Sequence, residues 1–432
     1  MNLRCLLFGL WIVLLEIGTV TSQPLRAAAA TEPQASDQTI IEEQKVDPFF
    51  GREIVFWARI RFAGTPSQVQ VFFKGQNETA TKAGMASIQN DEITYIHDLT
   101  TEPLTAFSIV EYWFGVTYTD DSTFVSQKYG FYYEDNRFTW QALHSAPLFV
   151  HWYDGDLAFG QSVIDVAQAG IERANELLPL TPNAEIHVYV YASVAEMQST
   201  IQMAGMNLIA GHASPEWNVV VVSLLPGPDQ MQEAQRQVPH EIMHILLYQT
   251  FGKSYDRLPT WLTEGLASNN EQYFNPDYPV ILKDAQEREM LIPISSLCHG
   301  FPTEASRFYQ SYAEAQSFVR FVYQQYVRSG LEKLLQNYAD GLDCERGTEI
   351  TFNKSLKRLD MDWQRKELKQ NVLGKIVQPL LPWLAVLLIV LTVPIGLSVN
   401  SLLAGRGLEK KPPASGKNGK AAKKLRGSYD RG

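Results

Sequence analysis

The stretch QVPHEIMHILLYQ, residues 237–249, places two histidines four positions apart, with a glutamate directly after the first. Positions i and i+4 of an α-helix lie on one face, so His240 and His244 can hold a metal ion between them. Glu241 lies about 100° around the helix from His240, within reach of a water molecule on that ion. The alternative is an amphipathic helix that carries two solvated imidazoles.

A catalytic zinc site usually has three protein ligands and a fourth position open for water. The residue six positions after His244 is Thr250, which excludes a third histidine at that spacing. The later stretch LPTWLTEGLAS supplies Glu264 on a second predicted helix, which can return alongside the first. Gly265 and Ala267 are small, and we expect them to allow close approach of these two helices.

These residues predict one zinc ion per chain, bound by His240, His244 and Glu264. Glu241 is then the general base, which takes a proton from the zinc-activated water. A plain surface carboxylate is the alternative interpretation of Glu264.

The charge of the chain is unevenly distributed. The net charge of all 432 residues is −10, but nine basic and two acidic residues follow from Arg406 onward, which leaves −17 for the preceding part. An acidic body argues against nucleic acid as a partner.

Two apolar stretches indicate export and membrane anchoring. The 21 residues PLLPWLAVLLIVLTVPIGLSV, 379–399, contain no charged residue and would span about 30 Å as a helix, the thickness of a bilayer core. The first residues combine a basic Arg4 with an apolar run, as signal peptides do. By the positive-inside rule, the basic tail is cytoplasmic and the catalytic domain is extracellular, at the cell membrane.

Cys298 and Cys344 are the cysteines that remain after the predicted signal peptide. In an oxidising compartment an even pair favours a disulfide, with two unrelated thiols as the alternative.

The sequence before the HExxH helix falls into two parts with different periodicity. Runs with period 2, such as EIVFWARIRF and QVQVFFKG, predict an immunoglobulin-like or fibronectin-like β-sandwich. Strand-like and helix-like segments then alternate, and NVVVVSLL precedes the HExxH helix. We expect this strand to lie beside the cleft and to pair with an extended peptide.

The motifs HEIMH, TEGLA and SYAEAQSFVRFV resemble the gluzincin metallopeptidases, in particular the peptidase MA-like family of bacterial membrane-anchored metallohydrolases. The resemblance is best from about residue 134 to 363. It implies the same roles for His240, His244, Glu264 and Glu241, and it aligns Tyr312 with an oxyanion-stabilising tyrosine of related aminopeptidases. A packing role is the alternative for Tyr312. A GxMEN-type motif for the substrate amino terminus is absent from the sequence, which favours an endopeptidase over an aminopeptidase.

The predicted fold class is α+β: an immunoglobulin-like sandwich, a thermolysin-like gluzincin domain of α/β and helical parts, and one C-terminal transmembrane helix. The predicted segments are a signal peptide (1–30), a flexible leader (31–47), the sandwich (48–142), the metallopeptidase domain (143–373), the transmembrane helix (377–403) and a basic cytoplasmic tail (404–432).

The predicted function is hydrolysis of peptide bonds in a peptide or protein substrate by a membrane-anchored zinc metallopeptidase. Two alternatives remain: a zinc hydrolase that acts on another amide, and a catalytically silent surface protein whose sandwich binds a partner.

Overall fold

The computed structural model describes residues 38–76, 78–203 and 211–368, with five single positions between 382 and 390. The predicted signal peptide and basic tail lie outside the described residues, and so does nearly all of the predicted transmembrane helix. Within the part of the chain that is described, no helix is both long and apolar enough to cross a membrane.

The chain divides into two compact units. The first comprises residues up to His144, with Val150–Gly160 and His187–Gly227. The second comprises Ser145–Phe149, Gln161–Ile186 and the residues from Pro228 onward.

The strands are β1 (Ile40–Phe49), β2 (Glu53–Arg61), β3 (Pro66–Gly75), β4 (Lys82–Met85), β5 (Ser87–Gln89), β6 (Glu92–Asp98), β7 (Ser108–Tyr118), β8 (Thr123–Val125), β9 (Tyr129–Tyr133), β10 (Gln141–Ser145), β11 (Leu148–Trp152), β12 (Ile186–Tyr191), β13 (Gly211–Ser214) and β14 (Val219–Ser223). The α-helices are α1 (Leu157–Leu177), α2 (Val194–Met203), α3 (Gln230–Phe251), α4 (Thr260–Asn270), α5 (Asp277–Glu287), α6 (Ala305–Ala339), α7 (Cys344–Phe352) and α8 (Leu356–Lys366). The protein is thus a mixed α+β structure, as the sequence predicts.

Two antiparallel sheets form the N-terminal part of the first unit. Their strand orders are β1-β2-β6-β5 and β4-β3-β7-β8, and β9 also pairs with β7. Along β3 and β7 every second residue is buried, because successive side chains of a strand point to opposite faces. The inward residues of β2, β3, β6 and β7 join in one apolar core, so the two sheets pack face to face.

The structure corrects the predicted flexible leader. Residues 40–47 belong to β1, which pairs with β2 from Ile40↔Arg61 to Phe49↔Glu53. This strand lies at the edge of its sheet, five of its ten residues are polar and none is fully buried, so it lacks the apolar alternation by which the other strands were predicted. Backbone pairing with β2 holds it in place, and Ile41 and Val46 pack, partly buried, against the core.

The third sheet has the order β10-β11-β12-β14-β13. β14 is buried along its whole length, pairing in parallel with β12 and antiparallel with β13. The expectation that NVVVVSLL pairs with a peptide substrate is therefore wrong, since both of its edges are already hydrogen-bonded. Tyr189, Tyr191, Val219 and Val221 of this sheet join the sandwich core, which explains why the first unit extends beyond residue 142.

A close contact fixes α4 against α6 in the second unit. A Cβ atom on Gly265 would lie 2.6 Å from the carbonyl oxygen of Ala315 and 2.5 Å from Val319, so only glycine fits this crossing. We expected Gly265 to allow approach to the HExxH helix. The close approach is instead between α4 and α6.

Two further constraints hold the segment before α6. Cys298 and Cys344 form a disulfide. The indole N–H of Trp261 contacts Cys344 Sγ, and the N–H of Thr260 donates to the carbonyl of Cys298, which ties the start of α4 to this bridge. Glu314 is fully buried, and both of its carboxyl oxygens lie 3.1 Å from the backbone nitrogen of Ile292.

Burial raises the pKa of Glu314 to about 8, although hydrogen bonds from Gln310 and Ile292 oppose the shift. The ordinary value is about 4.3. Because the pKa of Glu314 is higher in the folded than in the unfolded chain, its protonated carboxyl stabilises the folded state at acidic pH. This contribution to the free energy of unfolding is lost as the pH rises toward 8.

We therefore predict that Glu314→Gln flattens the pH dependence of the free energy of unfolding between about pH 4.5 and 8, by up to about 1.4 kcal/mol per pH unit. The measurement is denaturant unfolding across this range. Glu332→Gln, a change at an exposed partner of Arg328, serves as the control and should leave the slope of the wild type unchanged. An unaltered slope in Glu314→Gln would contradict the assignment.

Candidate metal centre

A proline within α3 organises the chain around the predicted site. Pro239 has no N–H, so the carbonyl of Gln235 four residues earlier has no partner within the helix. This carbonyl accepts a hydrogen bond of 2.9 Å from the N–H of Gln272, two residues after the end of α4. The side-chain amide of Asn270 also donates to the carbonyl of Pro239, at 2.7 Å. The end of α4 is thereby held against α3 directly beside His240.

The turn between α3 and α4 brings Glu264 to the histidines. α3 ends at Phe251, and its C-cap is Gly252, whose φ of +54° lies in the left-handed region that favours glycine. A 3₁₀ turn over Gly252–Arg257 follows, and α4 then begins at Thr260. The α3–turn–α4 arrangement matches the prediction from the spacing of the motifs.

The structure brings together all three predicted ligands. The ligand atoms of His240, His244 and Glu264 lie within 4.8 Å of one another. Oε2 of Glu264 is 3.4 Å from Nε2 of His240 and 3.7 Å from Nε2 of His244. The three side chains are buried or half-buried. Two imidazole nitrogens and one carboxylate oxygen thus face a common point.

Each histidine is oriented by a second residue that the sequence analysis missed. Nδ1 of His240 lies 3.0 Å from Oε1 of Glu271, and Nδ1 of His244 lies 2.9 Å from the hydroxyl oxygen of Tyr255. A carboxylate can only accept, so Nδ1–H of His240 donates to Glu271 and leaves the lone pair of Nε2 for a metal. The corresponding tautomer of His244 donates to Tyr255.

The electrostatics of the centre favour a cation. Burial lowers the pKa of His240, but hydrogen bonds to Glu264 and Glu271 and the charge of Glu241 outweigh it and hold the pKa well above the usual value. Burial raises the pKa of Glu264, but the charge of His244 and hydrogen bonds to both imidazoles reverse this and lower it. Three carboxylates therefore surround the imidazoles and stabilise positive charge there.

The donor set fits a divalent transition metal. Two imidazoles and one carboxylate are the ligand types found in catalytic zinc sites with an open fourth position. Hydrogen bonds at Nδ1 fix ligand histidines in such sites and raise their basicity. Glu271 and Tyr255 supply these hydrogen bonds here.

The other two predicted residues lie beside this centre. Glu241 is buried, and its charge acts on His240, Tyr255 and Tyr312. The ring centroid of Tyr312 is 6.0 Å from that of His240. Burial, followed by the charges of Glu264 and Glu241, raises the pKa of Tyr312 well above its usual value, so its hydroxyl keeps its proton.

Glu271 could have been found from its spacing. It follows Glu264 by seven residues, two helical turns, which places both carboxylates on one face of α4 and its continuation. Tyr255 lies in the 3₁₀ turn GKSYDR, which has no periodic pattern, and nothing in the sequence marks it.

We predict that Glu271→Gln weakens zinc binding by about 10- to 100-fold, because the amide loses the charge that orients His240 and strengthens it as a ligand. The measurement is competition with a chelating zinc indicator. The control is Glu233→Gln in the first turn of α3, a half-exposed carboxylate paired with Arg236, where affinity should stay within twofold of the wild type, roughly the scatter expected for a surface change. Equal affinities for the Glu271 variant and the wild type would contradict the positioning role.

Comparison with solved structures gives only distant similarity. An aminopeptidase N family protein from Idiomarina loihiensis matches at 8% identity and a TM-score of 0.31, over 73% of this chain and 68% of that chain. A polysaccharide deacetylase from Bacillus cereus matches at 8% identity and a TM-score of 0.19, over 37% and 54%. A bromine derivative of BhCBM56 matches at 13% identity and a TM-score of 0.17, over 21% and 88%. TM-scores this low support no inference about function.

Comparison with protein families is more informative. No curated protein matches the chain. The model of the Peptidase MA superfamily matches residues 166–369, a region that contains α3, α4 and α6, and it confirms the predicted resemblance. The match suggests a metal-dependent peptidase. Residues 166–369, with the HExxH helix and Glu264, are thus similar to the Peptidase MA superfamily.

Proposed function

We propose that this protein is a zinc metallopeptidase that hydrolyses peptide bonds in peptide or protein substrates. The observation that carries the proposal is the convergence of His240, His244 and Glu264, whose ligand atoms lie within 4.8 Å of one another. The superfamily match over the same residues supports it.

A zinc ion held by these three residues would supply a Lewis acid that lowers the pKa of a water molecule to about 7 and polarises the substrate carbonyl. Glu241 is the general base. Its carboxylate accepts a proton from the attacking water and delivers it to the nitrogen of the leaving amine. The position of Glu241 one residue after His240 on a rigid helix sets this geometry.

Tyr312 is the proposed donor to the oxyanion that develops on the carbonyl oxygen. Its hydroxyl remains protonated because burial and the charges of Glu264 and Glu241 oppose ionisation. A protonated donor fixed beside the reacting carbonyl stabilises the transition state more than the ground state.

An internal peptide bond is the proposed point of cleavage. Glu241, Glu264 and Glu271 together carry three negative charges, one more than a divalent ion neutralises. This excess charge disfavours the free carboxylate at the C-terminus of a substrate. The missing GxMEN-type motif disfavours recognition of the amino terminus.

We also propose that the catalytic part is extracellular and anchored by residues 377–403, with a cytoplasmic tail. The uncharged stretch 379–399 and the basic residues after it support this orientation. The Cys298–Cys344 disulfide is typical of an oxidising compartment.

The test is cleavage of an internally quenched peptide library by the full chain, purified in detergent and loaded with zinc. We expect Glu241→Gln to lower kcat by at least about a hundredfold while zinc content stays at one ion per chain, because the amide cannot accept the proton.

The matched control is Glu233→Gln, one acidic residue changed in the first turn of the same helix, where it is half-exposed and paired with Arg236, and its kcat should equal that of the wild type. Full activity in Glu241→Gln, or a wild-type protein that binds zinc and cleaves no peptide, would overturn the proposal.

A further inference from the structure

A cluster of aromatic side chains adjoins the candidate metal centre. Phe301 and Phe308 lie edge-to-face with Tyr312, with ring centroids 5.0 and 5.1 Å from its own. Tyr309 extends the group through Phe308, at 6.1 Å. We name these residues, Phe301, Phe308, Tyr309 and Tyr312, the aromatic cluster.

The aromatic cluster is not part of the buried core. Phe301, Phe308 and Tyr312 are half-buried, and Tyr309 is 56% exposed. A contiguous group of partly exposed aromatic rings is typical of a surface that binds another molecule. All four residues belong to the second unit, as do the three metal ligands.

Tyr312 makes the aromatic cluster continuous with the site. The same ring contacts His240, at 6.0 Å between centroids, and both phenylalanines. A substrate whose scissile carbonyl lies at the metal centre would therefore place a neighbouring side chain against these rings.

The electrostatics restrict which side chain fits. The charges that act on Tyr312 are those of Glu264 and Glu241, both negative. The guanidinium of Arg307, one residue before Phe308, donates to the carbonyl of Met290 and to Gln310, which are neutral, so it keeps its charge. The two carboxylates that act on Tyr312 disfavour an acidic side chain beside that ring, whereas an apolar side chain would cover the exposed rings.

We propose that the aromatic cluster is a specificity subsite for a large apolar or aromatic side chain next to the scissile bond. This inference rests on the proposed peptidase function for its position in the reaction. It adds the substrate class, which the metal ligands do not determine. The subsite distinguishes between substrates by how much apolar surface of the side chain it buries. Replacement of phenylalanine by alanine in the substrate therefore removes most of the binding free energy that the subsite contributes.

The experiment measures binding and cleavage separately. A set of blocked peptides that differ at one position, with Phe, Leu, Ala or Asp, is titrated against zinc-loaded Glu241→Gln by fluorescence anisotropy. The wild type is assayed with the same peptides for kcat/KM. We expect Phe and Leu to exceed Ala by at least about tenfold in both readouts, with Asp lowest.

Two variants locate the preference. Phe308→Ala, and separately Tyr309→Ala at the exposed edge, should reduce the ratio of Phe to Ala at least about threefold without loss of zinc. Tyr326→Ala is the matched control, since Tyr326 is a half-buried aromatic on the same helix that packs on Phe352, 14 residues beyond Tyr312. Its ratio should equal that of the wild type.

The outcomes separate the two proposals. A preference for Phe in binding that Phe308→Ala and Tyr309→Ala both reduce supports the subsite, even if the wild type cleaves nothing and the peptidase function fails. Equal binding of all four peptides, or a preference that neither variant changes, overturns the subsite whether or not peptides are cleaved.

Discussion

The burial of three carboxylates around two imidazoles is the constraint on which the site depends. Glu241 and Glu271 are buried and Glu264 is half-buried, and all three lie close to His240 or His244. Buried negative charge is destabilising unless positive charge balances it. The raised pKa of His240 reflects part of that balance, and a divalent cation at the point shared by both Nε2 atoms would provide more. Glu241 lies outside the group of three possible ligands, as its proposed role as a base needs.

The scaffold that positions these groups is held by backbone constraints. Pro239 leaves the carbonyl of Gln235 without a helical partner, and Gln272 uses it to hold the end of α4 beside α3. Gly265 lets α6 cross α4 closely enough to bring Tyr312 next to His240. The disulfide between Cys298 and Cys344 supports the start of α4. Each constraint acts on α4, the helix that carries Glu264. Glu264 is the ligand that lies outside the HExxH motif, so its position depends on how α4 packs.

The sequence predicts those parts of the structure that follow from periodicity or from fixed spacing. The HExxH helix was predicted in this way, as was the second helix with Glu264. Strand β1 was missed because an edge strand pairs through its backbone and shows little apolar alternation. Two further predictions were wrong: that Gly265 approaches the HExxH helix, and that β14 has a free edge for a peptide. Tertiary packing determines both features, and the local sequence does not encode it. Tyr255 was missed for the same reason.

The proposed metal centre is tested most directly by X-ray absorption spectroscopy at the zinc edge on the purified full chain. We expect one ion per chain with two imidazole nitrogens and at least one oxygen at about 2.0–2.2 Å, and loss of the bound ion in His244→Ala. Sulfur in the coordination shell, a single imidazole, or an ion retained unchanged after removal of His244 would contradict it.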